Sequence, residues 1–182
     1  MGCYIVCMPI AWTLALVLIL AQVPEVHYIA TTAKVVRAML KLARVGPVDV
    51  VYDLGCGDGR IAIMAARKFG ARGVGVDIDP VRIAEAEQNA REAGVSSRTR
   101  FFVGDVYKTD VGEATVIMLY MTADVNRAIR PKLVRQLATG SRIVAHTYDM
   151  DDWKPDRTIV VDRERLFLWV VTERAKARFG AE

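Results

Sequence analysis

The densest chemical signal in the chain is the stretch Asp53-Leu54-Gly55-Cys56-Gly57-Asp58-Gly59-Arg60. Glycines so spaced let a backbone turn sharply and let a ligand approach the main chain closely. A glycine loop alone does not choose its ligand, because several nucleotide-bearing cofactors use one. The carboxylates narrow the choice. A dinucleotide would set its pyrophosphate at such a turn, where Asp53 and Asp58 would repel it. The spacing G-x-G-x-G also departs from the dinucleotide pattern G-x-G-x-x-G. A ligand carrying an ammonium and a sulfonium would instead be attracted.

The loop therefore favours S-adenosylmethionine, with Asp53, Gly55, Cys56, Gly57, Asp58 and Gly59 as its expected contacts. Asp77 follows at roughly the distance where a carboxylate can take both ribose hydroxyls. Asp79 is the nearby alternative, but Pro80 behind it marks Asp79 as a helix cap, so Asp77 is preferred. Ile78 between them is expected against the adenine face. Asp105, after Gly104, is positioned to accept from the adenine amino group, although a lone aspartate there also suits a turn.

These residues need strand ends to hold them, and the chain supplies an alternation. Thr31 or Thr32 caps a helix running to about Arg44, with Val35, Val36, Met39, Leu40 and Ala43 at helical spacing. Strands are expected over 49–53, 73–77, 100–103, 114–119 and 141–145. Helices are expected over 59–69, from Pro80 to Gly94, and up to Leu137 with Pro131 inside. The alternation then stops, and 158–162 and 166–171 read as two strands joined at Asp162-Arg163-Glu164. The fold class is α/β: a doubly wound, Rossmann-like sheet of seven strands, five parallel plus a C-terminal antiparallel hairpin.

At 182 residues the chain has room for one such domain and a short appendage. The appendage is the uncharged run 1–24, about as long as the roughly 20 residues a helix needs to cross a bilayer. A cleaved signal peptide would want a basic start and a small-residue cleavage site, and a helix buried on the domain is the plain alternative. The run is read as a hydrophobic membrane-anchor helix preceding an S-adenosylmethionine-dependent domain at 25–182. Lys34, Arg37, Lys41 and Arg44 follow it and place that domain on the cytoplasmic side.

Lys and Arg number 25 against 21 acidic residues, and they are dispersed, so there is no strong sign of a nucleic-acid partner. Cys3, Cys7 and Cys56 with His27 and His146 offer neither a disulfide framework nor a metal centre.

The segments DLGCGDGR, GVGVDIDP, VGDVY, EATVIMLY, RPKL and DWKPDRT occur in this order. Over roughly 28–171 the chain resembles the seven-β-strand protein-lysine methyltransferases, the archaeal broad-specificity enzymes and their mitochondrial membrane-associated relatives. The cofactor motifs belong to all class I methyltransferases. More discriminating are EATVIMLY, Arg130-Pro131-Lys132-Leu133 and Trp153-Lys154-Pro155. The family's Tyr-Val-Pro-Thr-Pro-like entry segment reads Tyr28-Ile29-Ala30-Thr31-Thr32 here. Both prolines are missing, while Tyr28 and Thr31 match and are expected near the cofactor's methionine end.

The fourth strand ends Leu119-Tyr120-Met121-Thr122, without the Pro-Pro-Tyr of base-modifying amino-group methyltransferases. Leu119 is expected to border the cofactor. Tyr120 is expected to line the substrate channel, opposite Thr147, Tyr148 and Asp149, and His146 is expected to be structural. The resemblance implies a protein substrate and a lysine side chain. The alternatives are a small-molecule or lipid methyltransferase and a noncatalytic, membrane-tethered cofactor-binding module.

Overall fold

The computed structural model describes residues 31–180. The expected anchor at 1–24 and the expected cofactor contact Tyr28 lie outside the described residues. Within them, thirteen elements run in order: α1 (Ala33–Leu42), β1 (Val50–Leu54), α2 (Arg60–Phe69), β2 (Arg72–Asp77), α3 (Pro80–Glu92), a short 3₁₀ turn (Ser96–Arg98), β3 (Thr99–Val103), β4 (Val116–Leu119), α4 (Ala123–Gln136), β5 (Arg142–His146), β6 (Arg157–Val161), β7 (Glu164–Val170) and α5 (Glu173–Phe179).

The strands form one sheet in the order β3-β2-β1-β4-β5-β7-β6. The first five pair in parallel, and β7 runs antiparallel between β5 and β6. The chain winds outward from β1 to β3, then returns to lay β4 on the other side of β1. The reversal opens a crevice above the carboxyl ends of β1 and β4, where ligands bind in sheets of this kind.

Side chains alternate across the sheet with the period of two that a strand imposes. Val51, Val116, Met118 and Val144 face one layer, packing with Val35, Val36, Met39 and Leu40 of α1 and Ile61 and Ala65 of α2. Tyr52, Leu54, Ile117, Leu119, Ile143 and Ala145 face the other, against Ile129 and Leu133 of α4 and Phe179 of α5. Central strands covered on both faces read as unbroken apolar runs, which is why 114–119 looks the way it does.

Local chemistry sets the boundaries. The Thr32 hydroxyl accepts from the amide of Val35 to start α1, and the Asp79 carboxylate accepts from the amide of Val81, 2.8 Å, to start α3. Gly59 precedes α2 as its cap residue, with φ of 77° and no side-chain cap. A Cβ there would sit 2.7 Å from the Phe101 ring and 2.8 Å from Ala86 Cβ. Only glycine satisfies both that backbone and that packing.

One helix differs from the sequence reading. α5 stands where no element was expected; it is one short helix, capped by the Thr172 hydroxyl, and tertiary contact holds it. The Phe179 ring lies 5.4 Å from Trp153 and 4.4 Å from the Arg130 guanidinium. The β6–β7 turn is two residues, Asp162 and Arg163, both left-handed at φ 52° and 71°. It falls where the sequence reading joins the two strands, at Asp162-Arg163-Glu164, without the Asn-Gly that usually marks such turns. Among the described residues, no helix is long and apolar enough to cross a membrane.

Candidate active site

The glycine loop leaves β1 and folds back over β2. The amides of Gly55 and Cys56 both donate to the Val76 carbonyl, at 2.8 and 2.9 Å. The amide of Gly57 donates to Asp77 Oδ2 at 2.8 Å, while Asp77 Oδ1 accepts from the amide of Asp79 at 3.0 Å. The Asp77 carboxylate thus sits at the end of β2 and fixes both the loop and the entry to α3. Ile78 beside it is exposed, as are Val103 and Tyr107 at and beyond the end of β3.

Asp53 is the electrostatic centre of the site. Its residue is 3% exposed, and among the described residues no hydrogen bond reaches its carboxylate. Burial pushes its carboxyl well above the usual range; the charges of Asp77 and Asp58 push it further, and Arg60 opposes them. A buried carboxylate without donors is costly unless a cation comes to it. An ammonium-bearing sulfonium ligand supplies that missing charge, so the residues present fit S-adenosylmethionine.

Asp58 does not stand free, as the loop sequence alone suggests. Arg60 Nε lies 2.8 Å from Asp58 Oδ1, and Arg60 Nη2 lies 2.5 Å from Oδ2. Arg60 Nη1 also donates to the Thr31 carbonyl at 2.8 Å, and Asn89 Nδ2 donates to the Asp58 carbonyl at 3.0 Å. Asp58 therefore ties the loop to the start of α1 and to α3. Arg60 was legible as the last residue of the loop motif, but its reach to Thr31 was not.

Asp105 turns one oxygen inward: Oδ1 accepts from the amide of Tyr107 at 2.8 Å, and Oδ2 lies 3.7 Å from Lys108 Nζ. Leu119 is fully buried, with its side chain in the core beneath the rim. Cys56 is buried too, and burial pushes its thiol far up, which disfavours the thiolate. Among the described residues, no cluster of His, Cys, Asp and Glu can hold a metal ion.

A second group gathers at the ends of β4 and β5. The half-buried Tyr120 ring lies over His146, with centroids 4.0 Å apart and planes tilted by 33°. His146 Nδ1 is 3.3 Å from the Thr31 hydroxyl. Burial pulls the His146 pKa down, against the opposing pull of Glu164, which favours the neutral imidazole. Thr147 turns the chain with φ of 66°, a strained value for a β-branched residue. It is held by Arg165 O, 2.8 Å from its amide, and by Glu164 Oε2, 2.9 Å from its hydroxyl.

Tyr148 is exposed, and its carbonyl accepts from Asn126 Nδ2 at 3.0 Å. Asp149 Oδ1 accepts from the amide of Asp151 at 3.1 Å, so that carboxylate braces its own loop. Thr31 is the hinge between the two groups, since its carbonyl meets Arg60 and its hydroxyl meets His146. Sequence reasoning missed Glu164 and Asn126, which reach this rim only through the hairpin and through α4.

The strand order, the glycine loop and the acidic residues at the ends of β1 and β2 define a class I S-adenosylmethionine-dependent methyltransferase. The chain matches the ANTKMT methyltransferase domain over residues 53–157 and belongs to that family. It is 40% identical to a protein-lysine N-methyltransferase of Saccharolobus islandicus, over 85% of this chain and 99% of that one. It is 28% identical to the adenine nucleotide translocase lysine N-methyltransferase of Mus musculus, over 81% of this chain but only 64% of that one. Among solved structures, an RNA methyltransferase of Salinibacter ruber, in complex with S-adenosyl-L-homocysteine, superposes with a TM-score of 0.79 at 47% identity. That match covers 80% of this chain and 95% of the other.

Proposed function

We propose that this enzyme is a protein-lysine N-methyltransferase acting at a membrane. The observation that carries the lysine reading is the extent of the Saccharolobus match: 99% of that lysine methyltransferase is covered at 40% identity, so its reaction needs no more than a domain of this kind. The membrane reading rests on the uncharged run 1–24 and the basic residues Lys34, Arg37, Lys41 and Arg44 that follow it. In this reading the catalytic domain faces the cytoplasm.

The cofactor supplies an activated methyl group on a sulfonium. The chain's own residues then bind, orient and exclude water. Asp77 takes the ribose hydroxyls, Ile78 lies against the adenine, and Asp105 accepts from the adenine amino group with its less occupied oxygen. Asp53 answers the cationic methionine end, beside Gly55, Cys56, Gly57 and Gly59, while Asp58 acts through Arg60 to hold Thr31. Leu119 supports the rim, and Thr31 stands at the entry, its carbonyl on Arg60 and its hydroxyl on His146. Tyr120 lines the acceptor channel, with Asp149 bracing its far side. The attacking amine must be neutral, and entry into a poorly hydrated channel lowers its pKa in that direction.

RNA methylation is the second reading, favoured by the Salinibacter structure. Against it stand the β4 end Leu119-Tyr120-Met121-Thr122, which lacks Pro-Pro-Tyr, and the carboxylates around the acceptor rim. The test is incubation of the full chain with radiolabelled S-adenosylmethionine and membrane and soluble cell fractions, followed by protease, nuclease or lipid extraction. Label removed by protease and recovered as methyl-lysine supports the proposal. Label removed by nuclease, or extracted with lipid or small molecules, overturns it.

A further inference from the structure

Glu164 is the first residue of β7, and the antiparallel hairpin carries it to the rim where β4 and β5 end. Its Oε2 accepts from the Thr147 hydroxyl at 2.9 Å and lies 3.4 Å from His146 Nε2. That second approach is off the hydrogen-bonding line, so His146 Nε2 is buried without a hydrogen-bond partner among the described residues. The Glu164 side chain is 45% exposed, which leaves its other oxygen free to meet solvent or a ligand. The Tyr120 ring covers the same imidazole at 4.0 Å. A carboxylate and an aromatic ring therefore flank one buried histidine, at the mouth of the expected acceptor channel.

We infer that Glu164 and the Tyr120 ring form an ammonium subsite, which takes the cationic side-chain end of the methyl acceptor and holds the nitrogen as it regains positive charge on methylation. The inference rests on the protein-lysine reading and deepens it. A carboxylate attracts the entering ammonium, and a tyrosine face adds cation–π attraction. Tyr120 feels the carboxylate, because its hydroxyl is pushed up first by burial and then by the charge of Glu164.

The arrangement also resolves a conflict in the reaction. A fully enclosed carboxylate would hold the acceptor as an unreactive ammonium. Glu164 is open enough for the proton to leave to water, and the neutral nitrogen then attacks. As the nitrogen–carbon bond forms and the carbon–sulfur bond breaks, the electron pair goes to sulfur and positive charge returns to nitrogen, next to Glu164. His146 and Thr147 act as positioning residues for the ring and the carboxylate.

The test uses the full chain and a lysine-bearing peptide that the parent enzyme methylates, with the same peptide acetylated on that lysine as a control. Glu164→Gln keeps an acceptor for the Thr147 hydroxyl and removes only the charge. The expected result is a KM for the peptide raised about 10- to 100-fold, the scale of a hydrogen bond to a charged group. Melting temperature and the Kd for S-adenosylmethionine should stay at parent values. Peptide affinity measured by calorimetry with S-adenosylhomocysteine present should fall equally. Tyr120→Phe should retain peptide binding, and Tyr120→Leu should lose it. A peptide KM and Kd unchanged in Glu164→Gln, with the parent still making methyl-lysine, would overturn the subsite alone. A parent enzyme that makes no methyl-lysine on any lysine-bearing protein would overturn the underlying reading, and the subsite with it.

Discussion

The carboxylate of Asp77 accepts a hydrogen bond from the amide of Gly57, Oδ2 to N at 2.8 Å, across twenty positions of the chain. One side chain at the end of β2 thereby holds the glycine loop in place and faces the crevice above it. In the proposed function the same residue takes the ribose hydroxyls, and cofactor binding and loop shape would then depend on one carboxylate.

Asp77→Ala should weaken S-adenosylmethionine binding by about one to two orders of magnitude, the loss expected for hydrogen bonds to a charged group. Calorimetric titration checks it. An unchanged Kd would remove Asp77 from the cofactor site.

Asp53 gives a pH signature. Burial first, then neighbouring charge, raises its carboxyl in the folded protein, so the fold retains a proton that the unfolded chain releases. The associated stability is present below the ordinary aspartate value of about 3.9. It is lost as pH rises through the raised folded value. In the cofactor-free enzyme, Asp53→Asn should therefore melt increasingly above the parent as pH rises above about 4. Saturating S-adenosylmethionine should then stabilise the parent more than the variant. A melting difference that does not vary with pH would contradict the buried-carboxylate account.

Gly59→Ala places a Cβ 2.7 Å from the Phe101 ring on a left-handed backbone. Strain and overpacking together should cost about 2–4 kcal/mol in denaturant unfolding. A loss below about 0.5 kcal/mol, the usual size for a surface substitution, would show that the loop relaxes freely.

If 1–24 anchors the enzyme, the full chain should stay in washed membranes after carbonate extraction, and deleting those residues should release a folded domain. Recovery of the full chain in the soluble fraction would overturn the anchor.

Much of this molecule was legible in its sequence because the relevant signals are local. Asp79-Pro80 announced a helix start, and the Asp79 carboxylate caps it. Apolar runs bounded by glycine announced buried strands, and the loop acids announced a cationic ligand. What was hidden is what tertiary folding decides. α5 is too short for helical periodicity to register, and the ring of Phe179 against Trp153 holds it. Asp58 looked like free charge until Arg60 was seen to close on it. Glu164 reads as a turn residue in a hairpin; only the pairing of β7 with β5 brings it beside Thr147 and His146.

The most direct test of the central claim sets the two readings against each other in one tube. The purified full chain, S-adenosylmethionine with a labelled methyl group, and equal masses of cellular RNA and cellular protein are incubated together, and both fractions are hydrolysed. The account predicts label in methyl-lysine, carried by protein alone and lowered by Asp77→Ala when the cofactor is limiting. Label in methylated nucleosides, with none in methyl-lysine, would contradict it.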